Sequence, residues 1–204
     1  MTPKVTIIVP VFNQEKLVLT ALDSIPRRDD IEVIVYDDGS TDSTFINVRD
    51  FRVAHPEMNI VLLYDKENRG VAWAKNMLYE AATGDYIHEL DSDDYLYTSE
   101  YERAIEELDG TDIVYIDLVA NNGINFVLNE TSKHGYCAGT ARFYKRSLIG
   151  KTRCPVDKKA GEDWFFNEEI LEKPHTEKFT HIKAYHYNFP REGSLYDLLI
   201  KGQL

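Results

Sequence analysis

Long apolar runs are absent from this sequence, since no stretch approaches the roughly 20 residues that a membrane-spanning helix needs and no signal-peptide pattern stands at its N-terminus. Cysteine is also scarce. Cys137 and Cys154 are the only two cysteines, and neither has a second Cys or a His at the spacing of a zinc site. We therefore expect a cytoplasmic protein with two reduced thiols, and peripheral attachment to the inner face of a membrane is the alternative.

Positive charge is in deficit, because 23 Lys and Arg residues face 35 Asp and Glu residues and the formal net charge is −12. Nucleic-acid binding depends on Lys and Arg that neutralise phosphates, so no nucleic acid is expected as a general partner. Residues 142–159 depart from this pattern, with seven basic residues against the single acid Asp157. Such a run is usually a solvated face, and the alternative is a surface for phosphate groups or an anionic acceptor.

Apolar runs and amphipathic segments alternate through the first half of the chain. The first run, residues 5–9, is continuous and rich in Val and Ile, which is typical of buried parallel strands. The βαβαβαβ order of the segments predicts a parallel sheet with helices on both faces, in which ligands bind beyond the carboxyl ends of the strands. The predicted strands are residues 5–9, ended by Pro10, then residues 32–36, 60–64 and 86–90, and Asn13 is predicted to cap the first helix.

The second half of the chain is less regular, and it contains no repeat, linker or low-complexity segment. An Asn-Gly step at residues 122–123 predicts a tight hairpin between strands at residues 112–120 and 124–128. We expect the two halves to form one domain. Further strands are predicted at residues 140–144 and 179–186, the latter with alternating sides, and a helix that opens at Gly161 is predicted between them.

Three carboxylates follow the fourth predicted strand, in the segment Asp91-Ser92-Asp93-Asp94. Mg²⁺ and Mn²⁺ take oxygen ligands from one or two carboxylates and complete their shell with water and phosphates, so the segment indicates a metal-bound nucleotide diphosphate. A calcium EF-hand loop is excluded, because Leu96 stands where that loop requires glycine. A capping box of Ser99 and Glu102 predicts a helix over residues 99–108 but leaves the carboxylates unexplained.

Six short segments follow one another along nearly the whole chain: Ile7-Ile8-Val9-Pro10-Val11-Phe12-Asn13, Tyr36-Asp37-Asp38-Gly39-Ser40-Thr41-Asp42, Asn68-Arg69-Gly70 with Lys75-Asn76, Gly84-Asp85-Tyr86-Ile87, Asp91-Ser92-Asp93-Asp94 and Gly161-Glu162-Asp163-Trp164. In this order they resemble the signature of family 2 glycosyltransferases with the GT-A fold. The resemblance implies one α/β domain over residues 1–204, with a mostly parallel twisted sheet and helices on both faces. Its Rossmann-like nucleotide-binding half spans about residues 1–97, and its smaller mixed acceptor-binding half spans about residues 98–204.

The resemblance also implies an inverting transferase that uses Mg²⁺ or Mn²⁺ and a nucleotide-sugar donor, usually a UDP-sugar. The expected acceptor is a hydroxyl of a glycan, lipid-linked or protein molecule. Two other functions stay open. A sugar nucleotidyltransferase shares the sheet but needs a glycine-rich basic loop after the first strand, which residues 9–13 lack, and a catalytically silent protein would bind the nucleotide sugar without transfer.

The donor-binding residues are carried over by resemblance. Asp38 matches the residue that accepts a hydrogen bond from the pyrimidine ring, and its charge would select the uracil N–H over the bare nitrogen of cytosine. The alternative is that Asp37 and Asp38 cap the following turn, and we expect one residue in each role. Lys75 stands where the family commonly has arginine, so the planar fork of arginine is lost. The full set is Pro10, Val11, Phe12, Asp38, Asn68, Gly70, Lys75, Asp91 and Ser92.

The residues for metal binding and transfer follow from the same resemblance. Asp93 matches the metal ligand, Asp91 faces the ribose or donor sugar, and Asp94 assists or supports the loop. Asp163 matches the general base that takes the acceptor proton, and the alternative is an acid placed at a helix start for the helix dipole alone.

Residues near the C-terminal end complete the set of candidates. His186 is expected as a further metal ligand or diphosphate contact, although a lone histidine on an alternating strand is more often a packed or exposed residue. Arg191 and Ser194 are expected in a loop that closes over the donor phosphates.

Overall fold

The computed structural model describes residues 2–134, 139–158, 161–192 and 201. Cys137, Lys159 and Ser194 lie outside these ranges. Strands and helices alternate up to the fourth strand, as the sequence predicts, and the later elements are mixed. The strands are β1 (Val5–Val11), β2 (Ile31–Asp38), β3 (Asn59–Asp65), β4 (Tyr86–Glu89), β5 (Tyr95–Leu96), β6 (Ile113–Ala120), β7 (Asn125–Phe126), β8 (Arg142–Lys145) and β9 (Glu177–Tyr187). The helices are α1 (Val18–Asp23), α2 (Thr44–Ala54), α3 (Val71–Ala81), α4 (Thr98–Glu106), α5 (Arg146–Ile149) and α6 (Glu162–Leu171).

One sheet joins the two halves in the strand order β3-β2-β1-β4-β8-β6-β9-β5, with β7 beside β6. The first four strands of this order are parallel, and every residue of β1 and β2 is buried, as continuous apolar runs predict. From β8 onward antiparallel pairs enter, while β6 and β9 are parallel. The predicted α/β class and the parallel pairing of the first four strands are confirmed, and the shared sheet supports the proposal of a single domain.

Three local predictions in the first half are wrong. Pro10 does not end the first strand, because β1 continues to Val11. The ladder with β4 stops at Ile8, so Pro10 lies where β1 has a paired neighbour only in β2 and a missing N–H is tolerated. Asn13 caps no helix, since α1 begins at Val18 and Asn13 itself has a left-handed φ of 50°.

The predicted capping box is the third error. Ser99 lies inside α4, which begins at Thr98, and the first turn has no side-chain cap among the described contacts. The short strand β5 fixes this start, because the Leu96 N–H donates to Ser24 Oγ at 3.0 Å and the Thr98 hydroxyl donates to the Ser24 carbonyl at 3.0 Å.

In the second half the strands form close to their predicted places, with different bounds. β7 is shorter than predicted, because the Leu128 N–H donates to Asp117 Oδ1 at 3.0 Å and leaves the ladder. The simple alternation predicted for residues 179–186 is interrupted, because His181 adopts a left-handed φ of 55° and the register between β6 and β9 shifts. Within the described ranges, no helix has the length and apolar character to cross a bilayer.

Candidate active site

Loops from the carboxyl ends of β1, β2 and β3 meet at one edge of the sheet. The Asn13 side chain accepts a hydrogen bond from the Thr41 N–H at 2.8 Å, and the Asn13 N–H donates to Ser40 Oγ at 2.9 Å. Gly39 approaches the third loop so closely that an added Cβ would lie 2.6 Å from the carbonyl carbon of Glu67. These loops therefore form a single interlocked rim, at the place where α/β sheets bind ligands.

Both aspartates at the end of β2 have partners in this rim. Asp38 is buried, and its two carboxylate oxygens accept hydrogen bonds from the N–H groups of Arg69 (2.9 Å) and Gly70 (2.7 Å). Burial raises the pKa of Asp38, and these two hydrogen bonds oppose the rise. Asp37 Oδ1 accepts from the Ser40 N–H at 2.8 Å, while its Oδ2 is buried without a hydrogen-bond partner among the described residues.

The predicted base-lining segment divides into buried and exposed parts. Pro10 and Val11 are buried in β1, whereas Phe12 is 41% exposed. Asn68 is exposed in the loop after β3. Gly70 precedes α3 with a φ of 93°, a conformation that glycine adopts at little cost. Phe12 and Asn68 are therefore accessible to a ligand at the rim.

The acidic cluster, which we define as Asp91, Asp93 and Asp94, follows β4 and is held by the end of β9. The Tyr185 hydroxyl donates to Asp94 Oδ2 at 2.6 Å and accepts from the Asp91 N–H at 3.1 Å. The Asn188 N–H donates to Asp94 Oδ1 at 2.7 Å. Both carboxylate oxygens of Asp94 thus hold the loop in place, which agrees with the loop-supporting role that was one of its two expected roles.

The three carboxyl groups of the acidic cluster differ in their surroundings. Burial and the neighbouring Asp93 raise the pKa of Asp94 to about 7, against the Tyr185 hydrogen bond. Burial also raises the pKa of Asp91 well above its ordinary value, although Lys75 opposes the rise. Asp93 is less buried and pairs with Arg191, whose Nη2 lies 2.5 Å from its Oδ2.

This donor set fits a hard divalent cation. In the described ranges no three His, Cys, Asp or Glu side chains converge on one point. Mg²⁺ and Mn²⁺ in phosphate sites, however, need only one or two protein carboxylates, because water and substrate phosphates supply the other ligands. Asp93 already holds a cationic group, the Arg191 guanidinium, at its carboxylate. Asp93 and Asp91 are the side chains that would hold the metal ion and the sugar beside it.

Lys75 is not an exposed nucleotide contact. It is only 4% exposed, and its Nζ lies 3.1 Å from Glu89 Oε2 and 3.3 Å from Glu162 Oε1. Burial opposes its charge, yet these two carboxylates and those of Asp91 and Asp163 raise the pKa of Lys75 well above its ordinary value. Lys75 therefore joins β4, which leads to the acidic cluster, to the first turn of α6, which carries the predicted base.

Asp163 stands in the first turn of α6, next to Glu162, and it is half-buried. Its Oδ1 accepts a hydrogen bond from the Trp164 N–H at 2.8 Å. Gly161 precedes the helix in a left-handed conformation, with a φ of 77°. The helix-dipole alternative accounts for an acid at this position. Its neighbour Glu162 lies 3.3 Å from Lys75 Nζ, so Asp163 directly follows a residue that contacts Lys75.

His186 makes its described contacts with aromatic and amide groups. Its ring stacks on Tyr95 at a centroid distance of 4.1 Å, Nδ1 lies 3.2 Å from the Tyr97 hydroxyl, and Nε2 lies 2.9 Å from Asn121 Oδ1. Burial lowers the pKa of His186, which favours the neutral ring. Both ring nitrogens are thus engaged, and a metal-ligand role would require one of these hydrogen bonds to break.

The predicted basic surface over residues 142–159 is not one surface. Arg142 is fully buried and donates to the Lys133 carbonyl at 2.8 Å. Lys145 donates to the Gly110 carbonyl at 2.8 Å, and Arg153 pairs with Glu80. Folding therefore disperses the charges, because most of these residues bind nearby carbonyls and acids.

Three site residues escaped the sequence analysis: Glu89, Tyr185 and Asn188. Glu89 stands inside a strand, where a charged residue is the only local signal that a buried partner exists. Tyr185 is one aromatic residue among several in β9, and its contact with Asp94 depends on how β9 packs beside a segment 91 residues away.

Curated proteins resemble this chain over nearly its whole length. Poly(ribitol-phosphate) beta-N-acetylglucosaminyltransferase TarS of Staphylococcus aureus is 27% identical over 210 residues, covering 93% of this chain and 36% of that protein. Poly(ribitol-phosphate) beta-glucosyltransferase of Bacillus spizizenii is 29% identical over 210 residues, covering 93% and 33%. The chain thus spans about a third of the length of these curated relatives.

Solved structures show the same fold. S. aureus TarS 1-349 in complex with UDP-GlcNAc superposes with a TM-score of 0.79 at 24% identity, covering 94% of this chain and 60% of that one. The mannosyltransferase PcManGT of Pyrobaculum calidifontis, in complex with GDP-Man and Mn²⁺, gives a TM-score of 0.74 at 24% identity, covering 95% and 59%. The family model described as Glycosyl transferase family 2 matches residues 6–173. The chain therefore belongs to glycosyl transferase family 2 and has the GT-A fold.

Proposed function

We propose that this chain is a metal-dependent, inverting glycosyltransferase that moves a sugar from a UDP-sugar to an acceptor hydroxyl. The observation that carries the proposal is the meeting of two acidic segments at Lys75. Its Nζ lies 3.1 Å from Glu89, two residues before Asp91, and 3.3 Å from Glu162, directly before Asp163. Donor and acceptor chemistry need Asp91 and Asp163 on either side of one reacting carbon. The poly(ribitol-phosphate) transferases among the relatives, and the UDP-GlcNAc complex among the neighbours, support the same class.

On the donor side, a bound Mg²⁺ or Mn²⁺ would neutralise the charge that develops on the departing diphosphate. Asp93 would hold that ion, Asp91 would orient the ribose or sugar, and Ser92 between them would bind the donor. Arg191 would move from Asp93 to the phosphates as the ion enters. Asp38 retains free lone pairs beside its two N–H contacts, so it can still accept the uracil N–H.

On the acceptor side, Asp163 takes the proton from the hydroxyl while the hydroxyl oxygen attacks the anomeric carbon. The bond to the diphosphate breaks on the opposite face, so the configuration inverts and the proton remains on Asp163. A half-buried carboxylate at a helix start is open to an acceptor and held in orientation by its own backbone.

A binding screen tests the donor. UDP-GlcNAc, UDP-glucose and UDP-galactose are compared by thermal shift with and without Mn²⁺, and we expect a shift for one donor that needs the metal. Asp93→Ala should remove the Mn²⁺-dependent part of UDP binding in calorimetry. Asp157→Ala is the control, because this acid is exposed and lies outside the site. Equal Mn²⁺-dependent binding by wild type and Asp93→Ala would overturn the metal assignment.

A rate measurement tests the base. UDP release from the selected donor is followed with a ribitol phosphate oligomer as acceptor, and Asp163→Asn should slow it by about 10²- to 10⁴-fold while UDP binding changes less than about twofold. Normal release by Asp163→Asn would refute the role of Asp163. A wild-type protein that binds UDP with Mn²⁺ but releases none from any donor would be a silent binding protein, and the transferase proposal would fail.

A further inference from the structure

We propose that Lys75 is a positioning residue for sugar transfer, which holds the Asp163 segment against the acidic cluster through Glu89 and Glu162. This inference rests on the proposed function and reassigns Lys75, which the sequence predicts to contact the nucleotide. We call Lys75, Glu89 and Glu162 the Lys75 clamp.

The Lys75 clamp joins three elements. Lys75 belongs to α3, Glu89 ends β4 and Glu162 begins α6, and the ammonium lies 3.1 Å and 3.3 Å from the two carboxylates. All three residues are buried. An ammonium group has three donors and no acceptor, so it can bind both acids at once and has no exposed face for a nucleotide.

Glu89 is the fixed side of the Lys75 clamp. The Tyr79 hydroxyl, also from α3, donates to its Oε1. Gly139 packs on the same carboxylate so tightly that an added Cβ would clash with the carboxyl group. The Glu89 carboxylate therefore has no room to follow a displaced Lys75.

The positions of the two carboxylates connect the clamp to the reaction. Glu89 lies two residues before Asp91, and Glu162 lies directly before Asp163. Farther along α6, Phe166 stacks on Tyr79 of α3 at a centroid distance of 4.7 Å. The stacking secures the body of α6, while the Lys75 clamp secures its first turn. A base displaced by about 1 Å from its acceptor costs roughly 100-fold in rate, so this fixation bears directly on transfer.

A purely stabilising role does not explain this arrangement. Buried ion pairs contribute little net stability, because desolvation offsets the attraction between the charges. Two carboxylates on one ammonium also leave a net negative charge in the interior, which apolar side chains would avoid. The Lys75 clamp instead fixes positions, since both acidic segments are held by the same ammonium group.

The test separates position from donor binding. Lys75→Met removes the clamp and Lys75→Arg keeps the charge. Glu162→Gln reduces the contact of α6 from an ion pair to at most a neutral hydrogen bond, while Lys75 stays paired with Glu89. Glu80→Gln is the matched control, because it removes an exposed ion pair of α3 with Arg153 outside the site. Each variant is assayed for UDP release from the donor selected in the screen and for UDP binding with Mn²⁺ by calorimetry.

We expect kcat to fall about 100-fold in Lys75→Met and at least 10-fold in Glu162→Gln, with the Kd for UDP within about twofold of wild type. Lys75→Arg should recover at least a tenth of the wild-type kcat, and Glu80→Gln should match wild type. If the Kd for UDP rises by the same factor as kcat falls, Lys75 contacts the donor and the inference is overturned. An unchanged kcat in Glu162→Gln overturns the inference as well. This variant keeps the buried pair of Lys75 with Glu89, so no buried lysine is left without a counter-charge.

A second measurement needs no activity. The chain has two tryptophans, and in a Trp73→Phe background the remaining Trp164 follows Asp163 directly. Acrylamide quenching of Trp164 should increase at least 1.5-fold in Lys75→Met and stay unchanged in Lys75→Arg. If wild type transfers no sugar, the proposed function fails while this comparison still decides the clamp. Equal quenching in all variants would show that Lys75 does not fix the start of α6.

Discussion

His88, in the strand that leads to the acidic cluster, is predicted to make the protein less stable in mild acid. The ring is buried and stacks on Phe143 at a centroid distance of 4.7 Å. Its Nε2–H donates to the Thr140 carbonyl at 3.0 Å, so Nδ1 is the acceptor for the Tyr101 hydroxyl at 2.9 Å. Protonation would put a second donor opposite Tyr101 and a charge in an apolar layer. Burial accordingly lowers the pKa of His88 to about 4.

The sign of the effect follows from proton linkage. Between pH 6.5, the ordinary pKa of histidine, and pH 4, the unfolded chain binds a proton at His88 that the folded chain does not. The free energy of unfolding therefore falls as the pH falls through this window. The shift corresponds to about 3 kcal/mol in full, of which roughly 2 kcal/mol is lost between pH 7 and pH 4.5.

The assay is urea unfolding at pH 7 and pH 4.5. His88→Gln is the control, because glutamine offers one donor and one acceptor and does not titrate in this range. Wild type should lose about 2 kcal/mol more than His88→Gln between the two pH values. An NMR titration of His88 reports its pKa directly. Equal losses in the two proteins, or a His88 pKa near 6.5, would refute the neutral buried ring.

Two further substitutions test the loops of the site. Tyr185→Phe should destabilise the fold by about 1–3 kcal/mol, because the buried Asp94 oxygen loses its 2.6 Å hydrogen-bond partner. The same loss should raise the KM for the donor. An unchanged urea midpoint of unfolding would contradict this prediction. Gly39→Ala should cost at least about 3 kcal/mol, because its φ is 74° and the new Cβ would meet the backbone of Glu67. Gly123→Ala is its control, with a φ of 78° and open space around the Cβ, and it should cost only about 1–2 kcal/mol. Equal losses would show that the Gly39 contact is not rigid.

Much of the first half could be predicted because its signals are local. The Val- and Ile-rich runs place β1 to β4 within two residues of their observed bounds, and the acidic cluster follows β4 as expected. The predictions for Pro10, Asn13 and Ser99 went wrong where a local rule met a distant partner. Pro10 stays in β1 because only β2 pairs with the strand there, the Asn13 side chain binds the loop after β2, and contacts with Ser24 fix the start of α4.

In the candidate site, too, the sequence predicts some features and the tertiary structure decides others. The six ordered segments identify the family, and their motif positions alone mark Asp38, Asp93 and Asp163 as candidates. They also mark Lys75 as a donor contact, because sequence position cannot show whether a side chain is exposed. The structure shows instead that Lys75 is buried between two acids, Glu89 of β4 and Glu162 of α6, so it is interpreted as a positioning residue.

The sequence by itself determined the α/β class, the succession of strands and helices in the first half and the membership of the family, because hydrophobic runs and short motifs are properties of neighbouring residues. Only the tertiary structure decided which side chains are available for chemistry. Asp94 is committed to Tyr185, 91 residues away, and Lys75 is committed to Glu89 and Glu162. Such contacts follow from strand pairing and helix packing across the whole chain, and a buried charge takes whichever partner that packing brings within reach.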